Sequence, residues 1–453
     1  MPRRVTASPG RLEQLAMCVL VLVLTGISLL SKLPCTGPPP PGLTRAAHIG
    51  RSACWSDVAA LWTPRDLGLH RLPYVNGTFT SQPLTLTGGT VEYPTLGGLW
   101  IWLTALPVDS ARGFLVLTAV VAGVLAVAVT LLLVRLTGRR AWVFAATPPL
   151  ALYAAYNWDL LPVLCTVLGV TAMTTPRFRS SPWLRFGLAG LAFGTGAAFK
   201  LYPIMFVAAI VLAALLDRDG RPLGRRVAQA SAALGGGLLV PLLANVPFAL
   251  LDLDGWLAPV RFQAERATGA STLSVWYWGL LPWSSSGDPA FQHRMTALST
   301  AATALGVLVV LAVTVVLALR RGRTPWLQSA AALLAVYMVC NKVDSLQYVL
   351  WLVPFFVVLR VGGWWVTAYL LADLAAFVGW FRSQYYGAIG QTALTWADQA
   401  LAVGIWGRAA LLVALVVVFL RSEPAVQQWS EPERPPAAPH DASPPAHSES
   451  IRA

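Results

Sequence analysis

Apolar runs recur along the whole chain, and short polar segments separate them. The runs cover about 15–30, 113–134, 141–156, 160–175, 184–199, 201–216, 227–250, 297–319, 326–340, 346–360, 363–381 and 401–420. A helix needs roughly 20 apolar residues to cross the hydrocarbon core of a bilayer, and these runs approach or reach that length. Backbone groups in lipid must be satisfied within the protein, so the pattern predicts an all-α polytopic membrane protein with about 12 transmembrane helices.

Composition and charge agree with this pattern. Hydrophobic residues make up 56% of the 453 positions and charged residues 12%. The net charge of +13 does not predict nucleic-acid binding, because the arginines cluster in loops between apolar runs. Arginine-rich loops face the cytoplasm, so both termini are predicted to be cytoplasmic. The clusters are Arg135, Arg139 and Arg140; Arg177 and Arg179; Arg218, Arg221, Arg225 and Arg226; Arg320, Arg321 and Arg323; Arg360; and Arg421.

One short apolar run, 93–107, differs from the others. It opens with Pro94 and two glycines, and if it crossed the membrane it would place Arg135 outside. We therefore predict a helix at the outer interface. The predicted organisation is a cytoplasmic N-terminus and first span (1–31), an outer loop with the interfacial helix (32–112), a transmembrane body (113–421) and a disordered, proline-rich cytoplasmic tail (422–453).

In this threading, the unusual polar residues gather at the outer face. They are Asp57, Glu92, Asn157, Asp159, Lys200, Asn341, Lys342 and Gln347. An ionisable group at membrane depth costs roughly 2.5–3.5 kcal/mol on insertion scales, so such a set indicates a functional site. Lysine occurs only at positions 32, 200 and 342, and its compact ammonium suits a phosphate group. The alternative for each lysine is a snorkelling residue at a helix end.

The cysteines and histidines show no metal-ligand spacing, so no metal and no cofactor are predicted. Cys35 and Cys54 share the predicted outer loop. A disulfide between them is compatible with that location, although their spacing does not establish it.

The outer face offers neither nucleotide sugars nor ATP, and activated groups reach it on polyprenyl phosphates. An enzyme using such donors needs a cation for the leaving phosphate, a carboxylate base, and amide or aromatic groups for sugars. We assign the base to Asp57, with Glu92 as the other candidate, and the phosphate to Lys200 and Lys342. The predicted substrate-binding residues are Arg65, Glu92, Tyr93, Asn157, Trp158, Asp159, Tyr202, Asn341, Gln347 and Tyr348.

Several short motifs carry a family resemblance: Trp55-Ser56-Asp57, Arg65, Pro73-Tyr74, Val91 to Pro94, Asn157-Trp158-Asp159, Lys200 to Pro203, and Asn341-Lys342 with Gln347 to Trp351. Their order and spacing, over about 50–355, resemble the polyprenol-phosphate-mannose-dependent mannosyltransferases of glycosyltransferase family 87, in the GT-C superfamily, and their actinobacterial relatives. The resemblance implies a GT-C-like bundle whose first outer loop carries the catalytic acid, here Asp57.

The chain departs from the family's pattern twice. Thr95 stands where relatives often have a second proline, and Ser345-Leu346-Gln347 stands where they often have Ser-Pro-Gln. Neither departure removes a chemical group assigned above. The resemblance leaves the identities of the donor and the acceptor open.

The leading hypothesis is an inverting transfer of a sugar, mannose by resemblance, from a polyprenyl-phosphate donor to a glycolipid or glycan acceptor. A transporter or flippase of lipid-linked sugars is the alternative, and it favours polar residues near the bilayer midplane. A non-catalytic envelope scaffold is the third hypothesis, and it requires no aligned carboxylate and lysines. The oligomeric state is not predicted.

Overall fold

The computed structural model describes residues 9–75, 77–175, 181–218, 220–280 and 288–426. It is 75% helical. The α-helices are α1 (Arg11–Lys32), α2 (Arg45–Ser52), α3 (Asp57–Ala60), α4 (Thr95–Ala105), α5 (Ala111–Thr137), α6 (Trp142–Ala145), α7 (Pro148–Tyr153), α8 (Leu160–Thr174), α9 (Pro182–Phe199), α10 (Ile204–Leu216), α11 (Leu223–Leu251), α12 (Leu253–Glu265), α13 (Pro289–Arg321), α14 (Trp326–Cys340), α15 (Val349–Val358), α16 (Gly363–Ala388) and α17 (Trp396–Arg421). The strands are β1 (Thr78–Ser81) and β2 (Leu84–Thr87).

Six helical stretches in the described chain are long and apolar enough to cross a membrane: Arg11–Thr36, Ala111–Ala145, Leu223–Leu251, Pro289–Arg321, Gly363–Ala388 and Trp396–Arg421. Shorter apolar helices accompany them at Thr95–Ala105, Leu160–Thr174, Ile204–Leu216, Trp326–Cys340 and Leu346–Val358. The prediction of an all-α membrane protein is confirmed at this level. The count of twelve spans and their orientation stay predictions.

Local sequence signals set the ends of the long helices. Ser110 caps the first turn of α5 by accepting a hydrogen bond from Gly113 N at 3.1 Å. Asp288 does the same for Ala290 N at the start of α13. Gly322 ends α13 in the left-handed region (φ 70°). These are the side-chain caps and the left-handed glycine that satisfy the unpaired groups of helix ends.

The apolar helix α15 is enclosed by the rest of the membrane body. All ten of its residues are buried. It packs against α5, α6, α7, α8 and α14, so it has no polar or exposed face. A helix that is apolar all round is stable only in such surroundings. Its C-terminal carbonyls are bonded by Arg140, which donates to the oxygens of Phe356, Val357 and Leu359.

Helices α9 and α11 approach each other until their backbones touch. A Cβ added at Gly190 would collide with the carbonyl of Ala233, and one at Gly194 with that of Gly237. Small residues at membrane helix interfaces permit such close contact. Large apolar side chains on α11 and α13, such as Leu243 and Leu308, are instead exposed, as expected of surfaces that meet lipid chains.

The predicted span 141–156 is not one helix. The chain forms α6, breaks at Thr147, and resumes as α7. Pro148 and Pro149 cause the break, because neither has an N–H donor and Pro148 restricts Thr147 to an extended conformation (ψ 130°).

The predicted outer loop is an ordered layer. It contains α2, α3 and an antiparallel hairpin in which Thr78 pairs with Thr87 and Ser81 with Leu84. Leu86 of the hairpin is fully buried in a small cluster with Ala258 and Phe262 of α12. A disulfide joins Cys35 to Cys54, whose Cα atoms are 5.5 Å apart. The structure thus contains the disulfide that the sequence alone does not establish.

Helix α4 has 11 residues, which is about 16 Å of helix and too short for a bilayer core. Helices α10 and α15, which the sequence predicts as spans, are similarly short, so the interfacial location of α4 stays a prediction. The segment 422–426 differs from the predicted disordered tail, because Ala425 N donates to Val358 O at 2.8 Å and Val426 is buried. Residues 427–453, like Arg177 and Arg179, lie outside the described residues.

The predicted orientation can be tested at two exposed side chains. In a variant lacking the free cysteines Cys18, Cys165 and Cys340, Ser81→Cys on the hairpin should react with a membrane-impermeant maleimide in intact cells. Leu223→Cys, beside the arginines that start α11, should react only after lysis. Labelling of Leu223→Cys in intact cells would reverse the orientation and move the site to the cytoplasm.

Candidate functional site

Asp57 is the first residue of α3, and its segment is docked on the turn between α7 and α8. Ser56 Oγ donates to Ala155 O at 2.7 Å, and Asp57 N donates to Tyr156 O at 2.9 Å. Two backbone carbonyls that no longer take part in a helix are thereby satisfied. The outer layer and the membrane body therefore meet at the predicted catalytic residue.

The carboxylate of Asp57 is oriented by two donors. Trp55 Nε1 donates to Oδ1 at 2.8 Å, and Asn157 Nδ2 donates to Oδ2 at 2.7 Å. Asn157 Nδ2 also donates to Tyr93 Oη at 2.6 Å. We call these four residues the Asp57 network. Burial raises the pKa of Asp57, while the hydrogen bonds from Trp55 and Asn157 and the charge of Lys200 oppose that rise.

Lys200 lies beside this network in an aromatic enclosure. Its Nζ is 2.5 Å from Asp159 Oδ1, and its ammonium lies 5.6, 5.1 and 5.0 Å from the ring centroids of Tyr93, Tyr348 and Trp351. These distances suit cation–π attraction. We call these five residues the Lys200 cage. Tyr93 belongs to both groups, through its hydroxyl in the first and its ring in the second.

A stack of three rings supports the Lys200 cage from behind. Trp351 lies between Tyr348, at 3.7 Å between ring centroids, and Tyr202, at 4.3 Å. Trp351 Nε1 donates to Asp159 Oδ1 at 2.7 Å. Asp159 Oδ1 therefore accepts hydrogen bonds from both the Lys200 ammonium and the Trp351 indole. Asp159 is 1% exposed, and this pairing compensates its burial.

A cleft opens beside both groups. Its walls include the apolar residues Ile101, Leu161 and Phe199, and its polar end is formed by Asn157 and Lys200. Gly97 of α4 also lines it, and a Cβ at that position would lie 2.9 Å from Phe199 O. The glycine thus lets α4 approach the residue that precedes Lys200. The free space is about 10 Å³, room for about one water molecule, so a larger ligand enters only if the cleft widens.

The other predicted residues form a separate polar chain. Arg65 Nε is 3.0 Å from Glu92 Oε2, and Gln263 Nε2 donates to Glu92 O at 2.9 Å. Lys342 Nζ donates to Gln263 O at 2.8 Å and Arg266 O at 2.7 Å, which are carbonyls at the C-terminal end of α12. A cation is stabilising there, so the geometry assigns Lys342 a role at that helix end.

The structure therefore brings eight of the predicted residues into the two adjoining groups, the ring stack or the cleft: Asp57, Tyr93, Asn157, Trp158, Asp159, Lys200, Tyr202 and Tyr348. Arg65, Glu92 and Lys342 belong to the separate chain. Asn341 Oδ1 accepts from Val343 N at 3.4 Å, within its own turn. Gln347 is buried beside Tyr348.

Three site residues carry a buried polar atom that has no hydrogen-bond partner in the described chain. They are Trp158 Nε1, Asp159 Oδ2 and Gln347 Oε1. Buried polar groups in proteins are nearly always paired, and exceptions need an explanation. A bound polar ligand would supply one for Trp158, which lines the cleft.

One polar cluster is absent from the sequence-based prediction. Arg408 of α17 is fully buried, and its Nη2 lies 2.8 Å from Asp344 Oδ1 while its Nε lies 3.7 Å from Asp373 Oδ1. Tyr153 Oη donates to Asp373 Oδ2 at 2.8 Å. We call these four residues the Arg408 cluster. The sequence does contain a signal, since Asp373 and Arg408 interrupt the apolar runs 363–381 and 401–420.

One group of residues has the ligand types of a metal site. Ligand atoms of Cys35, His48 and Cys54 lie within 4.8 Å of one another. The two sulfurs are joined in the disulfide, so they are not thiolates able to hold a metal.

Neither the protein-family models, nor the curated proteins, nor the solved structures contain a match to this chain.

The Asp159–Lys200 pair generates a stability prediction. Removing one partner of a buried ion pair costs about 3–5 kcal/mol because the other charge is left uncompensated. Asp159→Asn and Lys200→Met should each lower the free energy of unfolding by about that amount, and the double variant should lose less than the sum. Denaturant unfolding in detergent micelles, followed by tryptophan fluorescence, measures the coupling.

The exposed pair Arg261–Asp254, at 2.8 Å, provides the matched control. Asp254→Asn should change stability by less than about 1 kcal/mol. Additive effects of Asp159→Asn and Lys200→Met would show that the buried pair contributes no coupling.

Proposed function

We propose that this protein transfers a sugar from a polyprenyl-phosphate donor to a glycolipid or glycan hydroxyl, with inversion and with Asp57 as general base. The observation that carries the proposal is the adjacency of an oriented carboxylate, Asp57, to the Lys200 cage at the polar end of an apolar-walled cleft. The donor class, the predicted outer location and the sugar rest on the sequence argument and the family resemblance.

Asp57 has the features of a base. Each of its oxygens accepts one hydrogen bond, from Trp55 or Asn157, which fixes the plane of the carboxylate and leaves lone pairs for an acceptor proton. Its raised pKa strengthens it as a proton acceptor. In one displacement at the anomeric carbon, the acceptor oxygen forms the new bond, the bond to the phosphate oxygen breaks, and Asp57 takes the hydroxyl proton.

Lys200 is the cation we assign to the leaving phosphate. Its ammonium has three donors, of which Asp159 takes one. An ammonium already held by a carboxylate and three rings is preorganised, so it stabilises developing phosphate charge without rearranging. The sequence also assigns Lys342 to the donor phosphate. Its contacts with the end of α12 instead favour a role in stabilising that helix end.

The cleft supports a lipid-linked donor. Its lining combines the apolar side chains of Ile101, Leu161 and Phe199 with Asn157 and Lys200, so on widening it would offer the isoprenoid chain apolar contacts and the head polar ones. Leu103, Leu168 and Leu201 are exposed apolar residues on the neighbouring helices or beside them, consistent with entry of the lipid from the side.

A second candidate, a flippase of lipid-linked sugars, has one observation in its favour. The Arg408 cluster places buried charges inside helices α16 and α17, where a transport pathway would hold polar groups. Proteoliposomes loaded with a fluorescent polyprenyl-phosphate sugar distinguish the candidates. A flippase moves the lipid between leaflets and leaves its sugar attached, whereas a transferase releases polyprenyl phosphate.

The decisive variant is Asp57→Asn. An amide cannot accept the proton, so transfer from polyprenyl-phosphate mannose to a membrane lipid extract should fall by about two to four orders of magnitude, while the thermal unfolding temperature changes little. In the parent, transfer should decline as the pH falls through the raised pKa of Asp57, because protonation removes the base.

Glu92→Gln is the matched control, since Glu92 is the other acid assigned to the loop and is paired with Arg65. It should keep most of the activity. Near-parental transfer by Asp57→Asn with loss in Glu92→Gln would move the base to Glu92. Near-parental transfer by both would refute a catalytic acid in this loop.

A further inference from the structure

The Arg408 cluster reaches the site through the segment 341–345, which directly precedes two members of the Lys200 cage, Tyr348 and Trp351. Arg408 Nη2 contacts Asp344 twice, at 2.8 Å to Oδ1 and as a hydrogen bond of 3.3 Å to the backbone oxygen. After Asp344 the chain turns through a buried 3-10 helix, Leu346–Tyr348, and enters α15. Tyr348 and Trp351, two members of the Lys200 cage, therefore follow directly from the residue that Arg408 holds.

Two further contacts hold the same segment. Asp344 N donates to Thr272 O at 2.9 Å, and Lys342 Nζ bonds the end of α12. Both of these contacts bind the segment to the 252–274 region. Among these anchors, Arg408 alone lies on the last helix, α17. It therefore ties the position of the segment 341–345 to the α16–α17 pair.

The α16–α17 pair is a rigid reference. A Cβ at Gly404 would collide with the backbone of Ala376, and one at Gly379 with that of Leu401, so the two helices are in backbone contact next to the cluster, on the side of the turn that joins them. Arg408 lies one turn after Gly404, and Asp373 lies one turn before Phe377 on the facing helix. This backbone contact places Arg408 opposite Asp373 independently of Asp344.

We propose that Arg408 is a positioning residue, which acts through Asp344 to hold Tyr348 and Trp351 around Lys200. The inference rests on the proposed function only in the KM measurement described below. The competing explanation is charge balance, in which Asp344 and Asp373 merely neutralise one buried guanidinium and are equivalent.

A matched pair of variants separates these explanations, since each removes one carboxylate and leaves Arg408 the other. Asp344→Ala should raise amide hydrogen exchange of the 343–348 peptide and the KM for polyprenyl-phosphate mannose, each by about tenfold, because Arg408 loses its ion pair with the side chain and keeps only the bond to the backbone oxygen. Asp373→Ala should leave both quantities near the parent values, even if the protein becomes less stable overall.

Asp344→Asn keeps an oxygen acceptor for Arg408 and provides the rescue arm. Exchange of 343–348 near the parent rate in this variant supports positioning, because an oxygen contact to Arg408 is retained although the charge is lost. Equal effects of Asp344→Ala and Asp373→Ala, or an Asn variant as impaired as the Ala variant, would overturn the proposal in favour of charge balance. If the parent transfers no sugar, the proposed function fails, and the exchange measurement still decides the role of Arg408.

Discussion

Charge placed out of contact with water must be compensated, and this constraint determines how the polar residues of this chain are arranged. Asp159 is compensated by Lys200 and Trp351, and Arg408 by Asp344 with Asp373 nearby. Each compensation joins segments distant in sequence, so pairing the charges also sets the relative positions of α8, α9, α15, α16 and α17. Removal of one partner would cost about 3–5 kcal/mol, because the other charge would be left uncompensated. The polar groups therefore stabilise the arrangement of the helices independently of any ligand.

The fold was predictable to the extent that it is encoded in apolar runs. The long helices α5, α11, α13 and α17 fall where the runs place them, because a helix in lipid satisfies its own backbone and needs only length and apolarity. The runs did not reveal the break at Thr147, although Pro148 and Pro149 are a local signal for it. Neither did they reveal the hairpin, whose Leu86 is stabilised by α12 more than 170 residues away.

The sequence predicts which residues belong to the site better than it predicts the contacts between them. Asn157 and Lys200 are polar residues at the ends of apolar runs, Asp57 lies in the predicted outer loop, and the three do converge. The sequence could not show that Lys342 engages the end of α12, because that contact depends on how α12 folds back over the body. Trp351, inside an apolar run, looks like core until its indole is found on Asp159. Asp373 and Arg408 interrupt apolar runs, but only the packing of α16 on α17 shows that they meet.

Tyr93 presents two different chemistries to two neighbours, a hydroxyl to Asn157 and a ring face to Lys200. These properties are chemically separable, because phenylalanine would retain the ring and discard the hydroxyl. The orientation of the carboxylate and the environment of the cation can thus diverge independently during evolution, one through the phenol oxygen and the other through the ring. A single position just before α4 thus gives the protein separate means of setting the carboxylate's orientation and the cation's surroundings.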